Sequence, residues 1–380
     1  MGAQGFAAGA VFDGEVLHPG YALLVEDGEV ARLCPRGALG ASLVTDLGPG
    51  ILAPGFVDLQ VNGGGGAMLN NAPTVETLRI MAEAHGRLGA TSILPTLITD
   101  TPENTHAAVE AVVAAIASGV PGIVGMHLEG PHLDVVRKGA HDPALIRPMT
   151  DEDLAFYRAT AERLPALMIT LAPESATGAQ IAALAAAGIV VSLGHSDCDH
   201  DRARAAFAAG ARCVTHLYNA MSPLTARAPG LVGAALDCGA VDAGIIADAI
   251  HVHPAALAAA LRAKAGPGQM FLVSDAMAVA GSDRRAFTLN GRVIRRADGR
   301  LTLADGTLAG ADLALDRAVR VCVAAGMTPA DALARASAIP ARVVGLADRL
   351  GRLAPGRRAD FLWLDEGLAL RGTWRGGARL

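Results

Sequence analysis

Four residues of this 380-residue chain could carry hydrolytic chemistry together: Glu129 in "HLEGP", His195 in "SLGHSD", His216 in "THLYNAM" and Asp275 in "LVSDAM". One carboxylate and two imidazoles suit Zn²⁺ or a similar divalent ion and leave a position open for water. Zinc lowers the pKa of such a water to about 7, so hydroxide becomes accessible near neutrality. A second carboxylate beside it, Asp275, can take the proton and later return it to a leaving amine. Taken singly, His195 reads as a helix N-cap and His216 as a core histidine. As a set they read as a metal-assisted acid/base site.

The elements that must position these residues follow a repeating pattern. Eight short apolar strands each end in a polar residue and are followed by helical stretches such as "PTVETLRIMAEAHGRLG". The strands are "FVDLQVNG", "SILPT", "GIVGMHLEG", "MITLAPE", "IVVSLGHS", "CVTHLYN", "GIIADAIH" and "FLVSDAM". Eight such units in one run predict a (β/α)₈ barrel over 54–346, with its chemistry at the C-terminal ends of the strands. Those ends read Gln60 and Asn62, Thr96, Glu129, Glu174, His195, His216 with Asn219, Asp248 with His251, and Asp275. Gln60 and Asn62 stand two apart on one strand, so both amides face the mouth. The "GGGG" after them lacks the G-x-G-x-x-G spacing of a dinucleotide site. Residues 1–53 and 347–380 are rich in strands and turn dipeptides such as Asp13-Gly14, and predict one small β-sandwich domain built from both termini.

Arg227, in the Pro/Gly-rich loop after the sixth strand, and His251 on the next strand end suggest an anion site for phosphate or carboxylate, with Asn219 and Ala220 offering further donors. His127 lies one layer below Glu129 and is expected to pack or bond behind the ligands. His18, His85, His106 and His200 are expected at the surface, and His253 in loop structure.

Composition narrows the class. A chain 52% hydrophobic and 18% charged folds around a large core. A net charge of −5 without a basic run argues against a nucleic-acid partner. Five scattered cysteines without a C-x-x-C pair fit a reducing compartment. Neither a signal peptide nor a membrane span is read, so the expectation is a soluble cytoplasmic protein.

"PGFVDLQVNG", "HLEGPHL" with "KGAHDP", "SLGHSD", "THLYNAM", "IADAIHVHP", "LVSDAM", "TLAGADLALDRAV" and "LGRLAPGRRADFLWLD" together resemble the N-acetylglucosamine-6-phosphate deacetylases of the amidohydrolase superfamily, nearly end to end and in order. The resemblance implies hydrolysis of the N-acetyl group of N-acetylglucosamine 6-phosphate to glucosamine 6-phosphate and acetate. It implies one divalent metal ion per subunit on Glu129, His195 and His216, zinc first, with iron, manganese or cobalt as alternatives. Asp275 becomes the proton donor and acceptor, and His141 a group that polarises the acetyl carbonyl. Ala140, Asn219, Ala220, Arg227, His251 and the Leu308-Ala309-Gly310 backbone match positions that contact substrate. A homodimer is implied, with Arg227 able to reach a neighbour's site. Where many of these barrels carry His-x-His on the first strand and a second metal, this chain has Gln60 and Asn62, which are poor zinc ligands and are left to bond substrate, water or neighbouring side chains. The N-acetylgalactosamine 6-phosphate epimer stays open as an alternative substrate. A dihydroorotase-like ring opening is disfavoured by the missing His-x-His.

Overall fold

The computed structural model describes residues 2–40 and 43–380. Eight parallel strands form the barrel: β1 (Phe56–Val61), β2 (Ala90–Ile98), β3 (Met126–Glu129), β4 (Leu167–Leu171), β5 (Val190–Leu193), β6 (Cys213–Val214), β7 (Asp242–Ile245) and β8 (Met270–Leu272). They lie in sequence order, and a bridge between Val61 and Ala276 joins the last strand region to the first. Every residue of these strands is buried. This is why they read as near-continuous apolar runs: helices cover the outer face and the barrel interior fills the other.

The helices start where their caps dictate. Thr74, Thr101 and Asp199 accept from the backbone N–H three residues on, opening α1 (Val75–Arg87), α2 (Pro102–Ala117) and α5 (His200–Ala208). Thr150 with Asp153, and Thr177 with Gln180, form capping boxes that open α3 (Asp151–Ala161) and α4 (Gly178–Ala186). After β6 comes α6 (Gly230–Asp237). His253 is more than loop structure. Its ring accepts from Ala255 N–H and caps α7 (Pro254–Ala263), with Pro254 in the first turn.

Strands from both termini share one six-stranded sheet, in which Phe361–Leu364 pairs antiparallel with Ile51–Pro54, the segment that leads into β1. A four-stranded sheet packs on it through Phe6, Leu23, Phe361 and Trp374, the last two rings stacked 4.8 Å apart at 8°.

Between β8 and α8 (Leu315–Ala324) the chain adds a four-stranded antiparallel sheet, Ala286–Leu289, Arg292–Ala297, Arg300–Thr302 and Leu308–Ala311, that the sequence reading did not anticipate. Its signals were the turn dipeptides Asn290-Gly291, Asp298-Gly299 and Asp305-Gly306. Ala311 bridges back to Ala276, which brings this sheet to the rim of the barrel. All five cysteines are free, and among the described residues no helix is long and apolar enough to cross a membrane.

Candidate active site

The barrel strands are shorter than the apolar runs suggest, and the functional side chains come just after them. His195, His216 and Asp275 lie two, two and three residues beyond β5, β6 and β8, all in left-handed backbone with φ of 48°, 29° and 49°. Such conformations are uncommon for side-chain-bearing residues and persist only where the surroundings over-determine them. Here they turn three strand ends inward onto a cavity of about 360 Å³ at the C-terminal mouth. Glu129 reaches it directly from the end of β3.

Three atoms meet at its floor. Glu129 Oε1 lies 3.2 Å from His195 Nε2 and 3.1 Å from His216 Nε2, and the two ring nitrogens are 3.1 Å apart. His195 Nδ1 is 2.8 Å from the Arg137 carbonyl, which can only accept, so Nδ1 carries the ring proton and Nε2 presents a lone pair. A lone pair, a second imidazole and a carboxylate converging without a cation would repel. A four-coordinate ion with bonds of about 2.0–2.2 Å separates its ligand atoms by about 3.3–3.6 Å, close to this triangle. The donor set therefore fits a divalent metal. His141 also comes within 4.8 Å of Glu129 and His195. His216 lies closer, its Nε2 3.1 Å from both Glu129 Oε1 and His195 Nε2. Burial opposes ionisation of Glu129, but the His195 and His216 rings set against it hold its carboxyl well below the usual range.

Asp275 is pushed the other way. Burial, then the Glu129 charge, raise its carboxyl to about 6. Its Oδ1 accepts from Asn62 Nδ2 at 2.7 Å and from Gln60 Nε2 at 3.3 Å. Gln60 Nε2 also lies 3.2 and 3.1 Å from the two Glu129 oxygens. Both amides therefore donate to the site's own carboxylates, Glu129 and Asp275, and neither lines the cavity. Of the partners open to the pair, substrate, water or neighbouring side chains, the geometry supplies the last in place of substrate. That the pair meets Glu129 and Asp275 across the barrel could not be seen from strand alternation.

The remaining expected residues divide. Ala140, Asn219, Ala220, His251, Leu308 and Gly310 line the cavity with His141; Ala309 is fully buried behind it. His251 Nδ1 bonds Asp248 Oδ2 at 2.6 Å, and Asp248, although buried, is held below its ordinary pKa by that ring. Arg227 is exposed and borders a different cavity with Asp199, His200 and Ser222. Glu174 also misses the mouth. It borders a third cavity, and the Ser196 hydroxyl faces both its oxygens. Thr96 and His127 sit below the site, His127 bonding Thr96 and Thr170 as a buried relay. His18 and His200 are part-exposed and His106 exposed, but His85 is buried, its Nε2 2.9 Å from the Gly63 carbonyl. Two site neighbours carried no sequence signal: Thr99, whose hydroxyl lies 2.7 Å from His141 Nδ1, and Arg292, which donates to the Ala140 carbonyl from the added sheet.

A parallel barrel with a metal-competent His/His/Glu floor and an adjacent aspartate defines a hydrolase of the amidohydrolase type. The amidohydrolase family model matches residues 51–378, and the chain belongs to that family. It is 43% identical over 94% of its length to an N-acetylgalactosamine-6-phosphate deacetylase of Shewanella sp. (strain ANA-3), of which 91% is covered. It is 34% identical to the N-acetylglucosamine-6-phosphate deacetylase of Haemophilus influenzae, across 93% of this chain and 94% of that one. The solved N-acetylglucosamine-6-phosphate deacetylase of Pasteurella multocida superposes with a TM-score of 0.94 at 33% identity, covering 100% of this chain and 99% of the other.

Proposed function

We propose that this chain hydrolyses the N-acetyl group of N-acetylglucosamine 6-phosphate, giving glucosamine 6-phosphate and acetate. One observation carries the reading: Glu129, His195, His216, His141 and Asp275 share a single cavity large enough for an aminosugar phosphate. The relatives' named activities support it.

Glu129, His195 and His216 are the residues that would hold a divalent ion, zinc first, and such an ion would supply Lewis acidity toward the amide carbonyl and the attacking water. Asp275 takes a proton from that water and passes it to the departing nitrogen. Its raised pKa makes it a stronger base than an ordinary carboxylate for taking that proton. With Oδ1 occupied by Asn62 and Gln60, Oδ2 is the oxygen left for the transfer. His141 donates to the carbonyl oxygen as it gains charge. His251, with Asn219 and the Ala220 backbone, receives the phosphate, and Leu308 with Gly310 holds the sugar. Arg227, outside its own chain's cavity, contributes through a neighbouring subunit of a homodimer. We further take 1–53 with 347–380 as the small β domain, 54–346 as the catalytic barrel, and the cytoplasm as the compartment.

A second reading has its own support. The galactosamine epimer is the substrate named for the relative with the higher identity of the two. One coupled assay of acetate release from N-acetylglucosamine 6-phosphate, N-acetylgalactosamine 6-phosphate and unphosphorylated N-acetylglucosamine tests both. The highest kcat/KM on the first supports the proposal, and on the second it selects the epimer. Equal rates with and without phosphate refute the phosphate site. No acetate from any of the three refutes the function.

A further inference from the structure

Two imidazoles flank Glu129 with their Nδ1 atoms bonded to quite different partners. His195 Nδ1 faces a carbonyl, which forces the proton onto Nδ1 and bares Nε2. His141 Nδ1 faces the Thr99 hydroxyl at 2.7 Å, which can donate or accept. The hydroxyl's other polar partner is the Glu129 carbonyl at 3.4 Å, beyond the ordinary O–H···O range of about 2.5–3.0 Å. Its single hydrogen is therefore worth most along the 2.7 Å vector to Nδ1. Both groups are buried, which removes water as a competing partner. The site is also shaped for this hydroxyl. At Gly130, where φ is +85°, a methyl group would come within 2.2 Å of Thr99 Oγ1.

We infer that Thr99 is a positioning residue that donates to His141 Nδ1 and so fixes the ring as the Nε2–H tautomer, a hydrogen-bond donor facing the cavity. The opposite tautomer would present a lone pair, as His195 does, and make His141 a metal ligand. Thr99 thus separates two chemically similar histidines into two roles. His195 binds a cation. His141 stabilises negative charge on the acetyl oxygen. The inference rests on the deacetylase reading above for the identity of that oxygen, but the tautomer itself does not.

Two measurements test it. In the metal-free protein, ¹⁵N-histidine spectra should show His141, identified by its loss in His141→Gln, bare at Nδ1 and protonated at Nε2. The reverse pattern overturns the inference whatever the enzyme's activity. In steady-state assays Thr99→Val, which keeps the shape and removes the hydroxyl, should lower kcat at least about tenfold with KM within about twofold and metal content unchanged. Thr99→Ser should recover most of the rate. Thr99→Val with kcat within about twofold of wild type would overturn the role, and loss of metal from that variant would instead make His141 a ligand. If Thr99→Val fails to fold, the spectra and Thr99→Ser still decide. Wild-type protein that releases no acetate but shows the expected spectrum would sink the deacetylase reading alone.

Discussion

Replacing Asp275 by asparagine isolates proton transfer from everything else the aspartate does. Its Oδ1 takes two amide hydrogens, from Asn62 at 2.7 Å and Gln60 at 3.3 Å. An asparagine can offer its carbonyl oxygen to both donors, so the local network survives. Its amide nitrogen then occupies the place of Oδ2, where it can neither accept nor return a proton. Positioned acid/base groups contribute about 10²–10⁴-fold, so kcat should fall at least about 10²-fold, or about 2.7 kcal/mol of barrier. The substitution also removes a carboxyl that burial and Glu129 raise to about 6, so the metal-free variant should melt no lower than wild type. The assay is coupled acetate release, with elemental analysis on the same sample. Activity within a few-fold of wild type would refute the shuttle. Loss of activity together with loss of the ion would show that Asp275 acts by holding metal.

The other expectations are briefer. Exhaustive dialysis and elemental analysis should return about one divalent ion per chain, because Gln60 and Asn62 donate to carboxylates and offer no second site; two equivalents, with activity following the second, would contradict this. Arg227→Ala should reduce kcat/KM for the phosphorylated sugar by about 10–100-fold and leave the unphosphorylated sugar nearly unchanged, the scale of one charged hydrogen bond; equal losses on both would make Arg227 structural. Asp58, fully buried at the base of β1 with Oδ2 unpartnered, is raised to about 7 chiefly by burial, so the folded state binds a proton that the unfolded chain releases near 4. Its contribution to stability is therefore retained at acid pH and lost as pH rises from about 4 to 7, with a slope of up to about 1.4 kcal/mol per pH unit. Asp58→Asn should flatten that part of a stability–pH curve measured by urea unfolding, and an unchanged slope would place the dependence elsewhere.

Periodicity and residue type were enough to read the barrel, the joint β domain from both ends, and Glu129, His195, His216 and Asp275 as one constellation. Eight buried parallel strands leave a continuous apolar signature, and the chemistry of such a barrel sits where each run stops. What the linear pattern could not hold was direction and depth. Gln60 and Asn62 share a face on any extended strand, yet whether that face meets substrate or two carboxylates depends on β3 and the turn after β8, some 70 and 215 residues away. Arg227 looked like a neighbour of His251 because their strands are adjacent, but its loop runs outward into solvent. The left-handed backbone at His195, His216 and Asp275 falls on the functional residues themselves and not on a glycine, so residue type does not announce it. Thr99 was silent for a related reason: a hydroxyl acquires a role only from the atom it is set against, here a histidine 42 residues further along the chain.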